Sequence, residues 1–284
     1  MKKVRHYGKD CFKFHEAVLE RKESDSLKRD INSISGDLKG QYEIYEELFC
    51  KDDLAAMTAL DLDKTTKEKL KSLYSYDAYM FRKLRKELTV DENNRPNVLC
   101  PNCTINTINS FDHFLPQSDF AEFVDNPLNL IPSCTECNGH KSSVWRKDGV
   151  RLFLNLYIDD LPNVQYLFVT LSIAEDGRSV DAKFEVKNPE DRIDADLYEK
   201  IDYHYDKLHL CERFRDSREQ VLSGLANEIY SLKNVLSDEL LKDVIRKSME
   251  NDRKRYGYNY WVAVLKEAVC DNQEIFDFFK KKPY

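Results

Sequence analysis

Two pairs of cysteines form the strongest chemical pattern in this sequence. Cys100 and Cys103 make one C-x-x-C pair, and Cys134 and Cys137 make a second pair further along the chain. Two pairs with this spacing supply the four thiolates that a structural Zn²⁺ binds in a tetrahedron. A zinc ion with four cysteine ligands has no open coordination position. The sequence therefore predicts a closed zinc site that holds structure and does no chemistry itself.

Between the two pairs lie an acidic residue and a histidine, Asp112 and His113. Because four thiolates would saturate the zinc ion, neither residue is needed as its ligand. Neutral imidazole is a natural general base near pH 7, and a carboxylate is a hard oxygen ligand suited to Mg²⁺. These residue types suit the metal-dependent hydrolysis of a phosphodiester. Adjacent strand residues point to opposite faces, so both can serve one site only where the strand bends or ends.

Three short motifs surround these residues in a fixed order. They are Asp112-His113-Phe114-x-Pro116, then Asn129-Leu130 followed by Pro132, and finally Cys134-x-x-Cys137-Asn138-x-x-Lys141. In these motifs the chain resembles the HNH endonucleases with a ββα-metal core, in the type whose core is held by a four-cysteine zinc. The resemblance covers about fifty of the 284 residues.

The resemblance implies a role for each matched residue. His113 would be the general base, and Asp112 would hold a catalytic Mg²⁺ or Mn²⁺. Asn129 would orient the base by tying its loop to the backbone of the histidine. Many relatives have a histidine where this chain has Asn138. An asparagine carbonyl is an acceptable Mg²⁺ ligand, so Asn138 would shift the metal site toward all-oxygen coordination.

Two further residues of this segment have open roles. Lys141, at the family's lysine position, would contact a phosphate, and a solvated helix lysine is the alternative. His140 could replace Asn138 as a ligand or contact a phosphate. On a helix it would point about 200° away from Asn138, so we rank it below Asn138, and whether it joins the site stays open.

Residues 64 to 88 are basic in an otherwise acidic protein. They contain eight lysines and arginines against three acidic residues, or +5, whereas the whole chain has a net charge of −7. We expect one helix here, leading into the nuclease segment and contacting DNA phosphates through Arg82, Lys83, Arg85 and Lys86. A solvated helix face is the alternative. A second candidate surface is 251–261, where arginine and lysine are mixed with tyrosine and tryptophan.

The elements that position these residues divide the chain into three regions. Residues 1–95 have apolar residues at three- and four-residue steps, which predicts helices, including the basic one. The resemblance implies that residues 96–148 form a zinc-stapled ββα core, and we expect a β-hairpin near 166–187 followed by helices within 149–284. Apolar residues alternate on both sides of Asp176-Gly177, which is typical of a hairpin. The predicted fold is α+β and mainly α.

Composition limits the class of protein. With 42% apolar residues, the 284-residue chain can bury one substantial core or two modest ones. No apolar run approaches the length of a membrane span, and none follows the basic start, so we expect a cytoplasmic protein without a membrane partner. Four of the eight cysteines are scattered, which favours a reducing compartment and one metal site.

Together with the resemblance, these features predict a metal-dependent endonuclease with structural Zn²⁺ and catalytic Mg²⁺. DNA is the substrate that the resemblance implies, and RNA is the less favoured one. The alternative is a catalytically silent zinc module that binds nucleic acid or a protein partner. The sequence has no G-x-x-x-x-G-K-[ST] motif, so an ATPase that gates cleavage would be a separate chain. By resemblance alone, long helical flanks imply a role in bacterial antiviral defence. The oligomeric state stays open.

Overall fold

The computed structural model describes residues 1–90 and 94–281, which form two compact units. The N-terminal unit comprises residues 3–160, and the C-terminal unit comprises residues 1–2 and 161–284. The predicted α+β, mainly helical class is confirmed. Apart from residues 1–2, the first two predicted regions and the start of the third share the N-terminal unit. None of the helices in the described residues combines the length and the apolar character that a membrane span needs.

Six α-helices lie in the described part of the N-terminal unit. Four of them begin at a side-chain cap: Asp10, Ser24, Asp63 and Cys134 each accept a hydrogen bond from a backbone N–H of the first turn. Short 3-10 helices occur at Leu54–Ala56 and Ala121–Phe123. The helices are α1 (Cys11–Glu20), α2 (Asp25–Asn32), α3 (Ser35–Cys50), α4 (Lys64–Lys71), α5 (Tyr79–Leu88) and α6 (Thr135–Lys141).

The prediction of one helix over residues 64–88 is wrong, because α4 and α5 are separated by residues 72–78. The Ser72 hydroxyl donates to the Lys69 carbonyl, a local bond that competes with helix continuation. Beyond it the chain turns so that the Tyr74 ring packs edge-on against Phe81, with ring centroids 4.9 Å apart. The apolar periodicity therefore continues across a turn rather than along one helix.

A strand, a second strand and a helix follow one another around the predicted site. Strand β1 (Ser110–His113) pairs antiparallel with β2 (Leu130–Ser133), with Asp112 opposite Ile131 and His113 opposite Leu130. Residues 114–129 connect the two strands, and α6 follows β2 directly. A very short hairpin of β3 (Arg146–Lys147) and β4 (Val150–Arg151) comes next.

Helix α3 supplies aromatic side chains to the core beneath the loop of residues 114–129. Tyr42 and Tyr45 are fully buried, and their rings lie 5.8 Å and 4.9 Å from the ring of Phe123. This packing connects the N-terminal helices to the loop that follows β1.

The C-terminal unit contains the predicted β-hairpin, which is confirmed. Strand β5 (Leu167–Ile173) pairs antiparallel with β6 (Val180–Val186), and Gly177 in the turn has φ +64°, which favours glycine. The remaining helices are α7 (Ala195–Lys207), α8 (Leu210–Asp216), α9 (Arg218–Leu232), α10 (Asp238–Tyr256), α11 (Trp261–Asp271) and α12 (Gln273–Lys281).

Candidate active site and zinc centre

The four predicted zinc ligands form one buried cluster. The sulfur atoms of Cys100, Cys103, Cys134 and Cys137 all lie within 4.8 Å of one another. Cys103 Sγ and Cys134 Sγ are 3.9 Å apart. Ligand sulfurs at the usual Zn–S distance of about 2.3 Å in a tetrahedron are separated by about 3.8 Å. The donor set and its spacing therefore fit a zinc ion, and the cluster is compatible with a zinc-stapled fold.

Backbone amides around the cluster favour thiolates. Cys134 caps the start of α6, where its sulfur accepts a hydrogen bond from the Cys137 amide, and Cys103 Sγ accepts one from the Ile105 amide. Hydrogen bonding with Cys100 lowers the pKa of the Cys103 thiol to about 7. Four negative charges this close repel one another, so full deprotonation of the cluster requires a bound cation.

His113 ends strand β1 outside the cysteine cluster. Its Nε2 atom lies 2.9 Å from the carbonyl oxygen of Val124. A carbonyl only accepts hydrogen bonds, so Nε2 carries the proton and Nδ1 is the nitrogen with a free lone pair. Burial lowers the pKa of His113 below its usual value, while the hydrogen bond with Val124 and the charge of Asp112 oppose this effect. The imidazole is therefore neutral at pH 7.

Asp112 and Lys141 are paired in the interior. The Nζ atom of Lys141 lies 3.0 Å from Asp112 Oδ1, and it also donates to the carbonyl oxygens of His113 at 3.0 Å and Phe114 at 3.2 Å. An ammonium has three hydrogens, and here three protein acceptors take them. Lys141 is thus buried and holds the end of β1. It could contact a phosphate only if one of these three hydrogen bonds were broken.

Asn129 is completely buried and closes the loop that begins after β1. Its Oδ1 accepts from the Leu115 amide at 2.7 Å, and its Nδ2 donates to the carbonyls of Leu115 at 3.1 Å and Phe123 at 3.2 Å. The Tyr45 hydroxyl of α3 also donates to Oδ1. Its side chain is therefore tied to Leu115, two residues after His113, and to the residue before Val124.

The amide of Asn138 connects α6 to β1. Its Nδ2 donates to the carbonyl oxygen of Phe111 at 3.1 Å, and the residue is half-buried. With the nitrogen engaged, the Oδ1 atom is the part of the side chain that can face a cation. His140 lies on the same helix and is also half-buried.

The basic residues of α5 form an exposed face. Arg82, Lys83 and Lys86 are exposed, whereas Arg85 is half-buried with its guanidinium 4.4 Å from the ring centroid of Tyr76. We call the three exposed residues the α5 basic face.

The second candidate surface, 251–261, is partly built into the fold. Tyr260 and Trp261 are buried, and Arg253 forms a salt bridge with Glu267. The ring faces of these two aromatic residues therefore serve the core of the C-terminal unit.

One contact missed at the sequence level is the ring of Tyr74, which packs edge-on against His113 with centroids 4.7 Å apart. Burial raises the pKa of Tyr74 to about 12, so its hydroxyl stays neutral. The apolar spacing of residues 70–88 indicated a buried position for Tyr74 but not its partner.

A second group missed at the sequence level surrounds Asp125, which is completely buried. Its carboxylate lies 3.0 and 3.1 Å from Nδ1 of His15 on α1, and it accepts from the Tyr42 hydroxyl on α3 at 2.9 Å. Burial by itself lowers the pKa of His15, but the charge of Asp125 and its hydrogen bond outweigh burial and raise it. The available clue was a histidine among the buried apolar residues of α1.

Comparisons with known proteins give one informative similarity and no assigned activity. No family model and no solved structure matches the chain. The chain is similar to protein ea31 of Escherichia phage lambda, with 25% identity over 236 residues that cover 77% of each chain. The aligned length exceeds that of residues 96–148, so the similarity includes helical residues outside the candidate site.

Proposed function

We propose that this chain is a metal-dependent HNH-type endonuclease that hydrolyses phosphodiester bonds in DNA. One observation carries the proposal: a neutral histidine whose Nε2 is bound to Val124 lies at the end of β1, beside the buried carboxylate of Asp112. The strand–strand–helix order around them and the four-cysteine cluster also suit this family.

His113 would take the proton from the attacking water. Its Nδ1 lone pair is available because Nε2 donates to Val124, and the ring is neutral because burial lowers its pKa. Water becomes a strong nucleophile as the proton leaves, so attack on phosphorus and proton transfer to Nδ1 would occur together.

Asp112 and Asn138 would hold the catalytic divalent cation. Lys141 contacts Oδ1 of the carboxylate, which directs a cation to Oδ2, and the Asn138 nitrogen is engaged with Phe111, which leaves its carbonyl oxygen. Both are hard oxygen donors of the kind that Mg²⁺ and Mn²⁺ prefer. A bound cation would supply positive charge to the phosphate and to the departing 3′ oxygen.

DNA would approach over the α5 basic face. The chain is acidic overall, so its average field repels nucleic acid and binding must come from a local surface. Arg82, Lys83 and Lys86 are exposed and can contact phosphates without leaving a partner buried. If cleavage needs ATP, the ATPase would be a separate chain, as in the defence systems that the resemblance implies.

Plasmid cleavage in Mg²⁺ tests the proposal through two variants. His113→Ala removes the base but no zinc ligand, so the cleavage rate should fall by about 10²- to 10⁴-fold while zinc content and DNA binding persist. Asp112→Asn keeps an acceptor for Lys141 but weakens the cation site. Raising Mg²⁺ or adding Mn²⁺ should therefore partly restore Asp112→Asn and leave His113→Ala inactive.

Two outcomes would overturn this assignment. His113→Ala protein that cleaves at the wild-type rate would exclude the histidine as the base. Wild-type protein that binds DNA and retains zinc, yet leaves the plasmid intact in Mg²⁺ and Mn²⁺, would instead indicate the silent zinc module.

A further inference from the structure

The carbonyl that holds His113 belongs to a peptide unit whose other end is Asp125. The Val124 C=O and the Asp125 N–H lie in one rigid plane, because the peptide bond does not rotate freely. Fixing the α-carbon of Asp125 therefore restricts the direction of the Val124 oxygen. That oxygen lies 2.9 Å from His113 Nε2 and selects the tautomer of the ring.

Asp125 itself is held from two helices distant in sequence. His15 on α1 contacts both of its carboxylate oxygens, and the Tyr42 hydroxyl on α3 donates to Oδ1. The donors precede Asp125 by 110 and 83 residues. The rings of the two donors also lie 5.7 Å apart, so they support each other.

We propose that His15, Tyr42 and Asp125 are positioning residues that orient the imidazole of His113 through the Val124 carbonyl. This inference rests on the proposed nuclease function for its catalytic consequence. His15 and Tyr42 lie outside residues 96–148, and Asp125 lies between the first two motifs that resemble HNH endonucleases without matching either. The helices α1 and α3 thereby become part of the catalytic apparatus.

If His15, Tyr42 and Asp125 only filled space, a histidine, a tyrosine and a carboxylate would not be needed at these positions. Burying a carboxylate is unfavourable, and apolar residues of similar volume often fill such a site as stably. Hydrogen bonds differ from apolar packing because they hold donor and acceptor in a defined direction. The Val124 carbonyl must point in a fixed direction if it is to accept a hydrogen bond from one particular nitrogen of His113.

Two variants test the proposal by changing the hydrogen bonding or the charge of this group with little change of volume. Tyr42→Phe deletes one hydroxyl, and Asp125→Asn deletes the charge of the carboxylate. Each should lower kcat for plasmid cleavage by about 10- to 100-fold, the usual effect of removing a hydrogen bond that orients a functional side chain, while KM for DNA and zinc content stay at wild-type values. A change in KM alone would overturn the proposal.

Imidazole ¹⁵N spectra provide a readout that does not depend on nuclease activity. The chain has six histidines, and His113→Ala identifies the resonances of His113. Wild-type protein should have His113 protonated at Nε2, and Asp125→Asn should mix the two tautomers. An unchanged tautomer together with unchanged kcat would overturn the proposal. A changed tautomer in a protein without nuclease activity would support the positioning and refute the proposed function.

A rescue pair and a matched control separate positioning from stability. His15→Asn places an amide donor near the position of Nδ1, whereas His15→Leu has no donor, so His15→Asn should retain more activity. Asp159 is another buried carboxylate of the N-terminal unit, and Arg151 donates to its two oxygens at 2.6 and 2.7 Å. Asp159→Asn should lower stability but not kcat. An equal loss of kcat in Asp159→Asn and Asp125→Asn would overturn the proposal.

Discussion

The ammonium of Lys141 lies 3.0 Å from the carboxylate of Asp112, and both side chains are almost inaccessible to water, at 4% and 7% exposure. The pair connects the last residue of α6 to the strand that ends at His113. A lysine predicted to face a phosphate or solvent is therefore part of the interior. We therefore expect Lys141 to contribute mainly to the stability of the site.

Lys141→Met should lower the free energy of unfolding by about 3–5 kcal/mol, because it leaves the charge of Asp112 buried without a partner. Urea denaturation measures the change. Adding Asp112→Asn to Lys141→Met should restore part of the loss, since the unpaired charge is then gone. Lys51→Met, which breaks the exposed pair with Glu47, serves as the control and should change stability little. Equal effects of the two lysine variants would contradict a buried ion pair.

Cys134→Ser should reduce the zinc content of the purified protein to near zero. The binding energy of a closed structural zinc is largely local folding energy, so residues 96–148 should also lose protection from hydrogen exchange. Metal analysis and exchange measurements check the two effects. Cys270→Ser is the matched control, because Cys270 is buried in the C-terminal unit and outside the cluster. Cys134→Ser protein with one tight zinc would refute this ligand set.

Reversing Arg82, Lys83 and Lys86 to Glu should weaken DNA binding and flatten its salt dependence. The slope of log K against log salt should fall by about one for each phosphate that the variant no longer binds. Fluorescence anisotropy at several salt concentrations measures the slope. Reversing Arg29, Lys39 and Lys51, which are exposed elsewhere in the N-terminal unit, changes the net charge equally and is the control. Equal slopes for both triple variants would show that the α5 basic face is a solvated surface that does not contact DNA.

The pair of His15 and Asp125 should make stability depend on pH. The pKa of His15 is raised in the folded protein, so its stabilising charge is fully present below its unfolded value of about 6.5. That contribution is lost as pH rises through the raised pKa. The stability difference between wild type and His15→Asn should therefore shrink from pH 6 to pH 9, as measured by urea denaturation. Tyr42→Phe removes a neutral donor and should give a loss that does not vary over this range.

Local patterns in the sequence predict part of the site and part of the fold. The spacing of Cys100, Cys103, Cys134 and Cys137 predicts their cluster, because a C-x-x-C pair brings two sulfurs to one point with few residues between them. The alternation around Gly177 likewise predicts a hairpin that adjacent residues form by themselves.

Local sequence patterns do not predict contacts between residues that are distant in the sequence. The periodicity of residues 64–88 is helical, yet the chain turns at residues 72–78. In this turn the Tyr74 ring packs against the rings of Phe81 and His113. The burial of Lys141 depends on three acceptors that strand β1 and the residue after it bring to one place. The partners of Asp125 come from helices distant in sequence, and the clue to them was a histidine among the apolar residues of α1.

The donors to Asp125 also determine how small a working piece of this protein can be. Residues 96–148 contain all four cysteines of the cluster and all three motifs. A fragment cut at those borders would lack His15 and Tyr42, the two donors to the Asp125 carboxylate, because both are upstream. A piece that keeps both donors together with the four cysteines therefore extends well beyond the motif segment and lies within the N-terminal unit, residues 3–160.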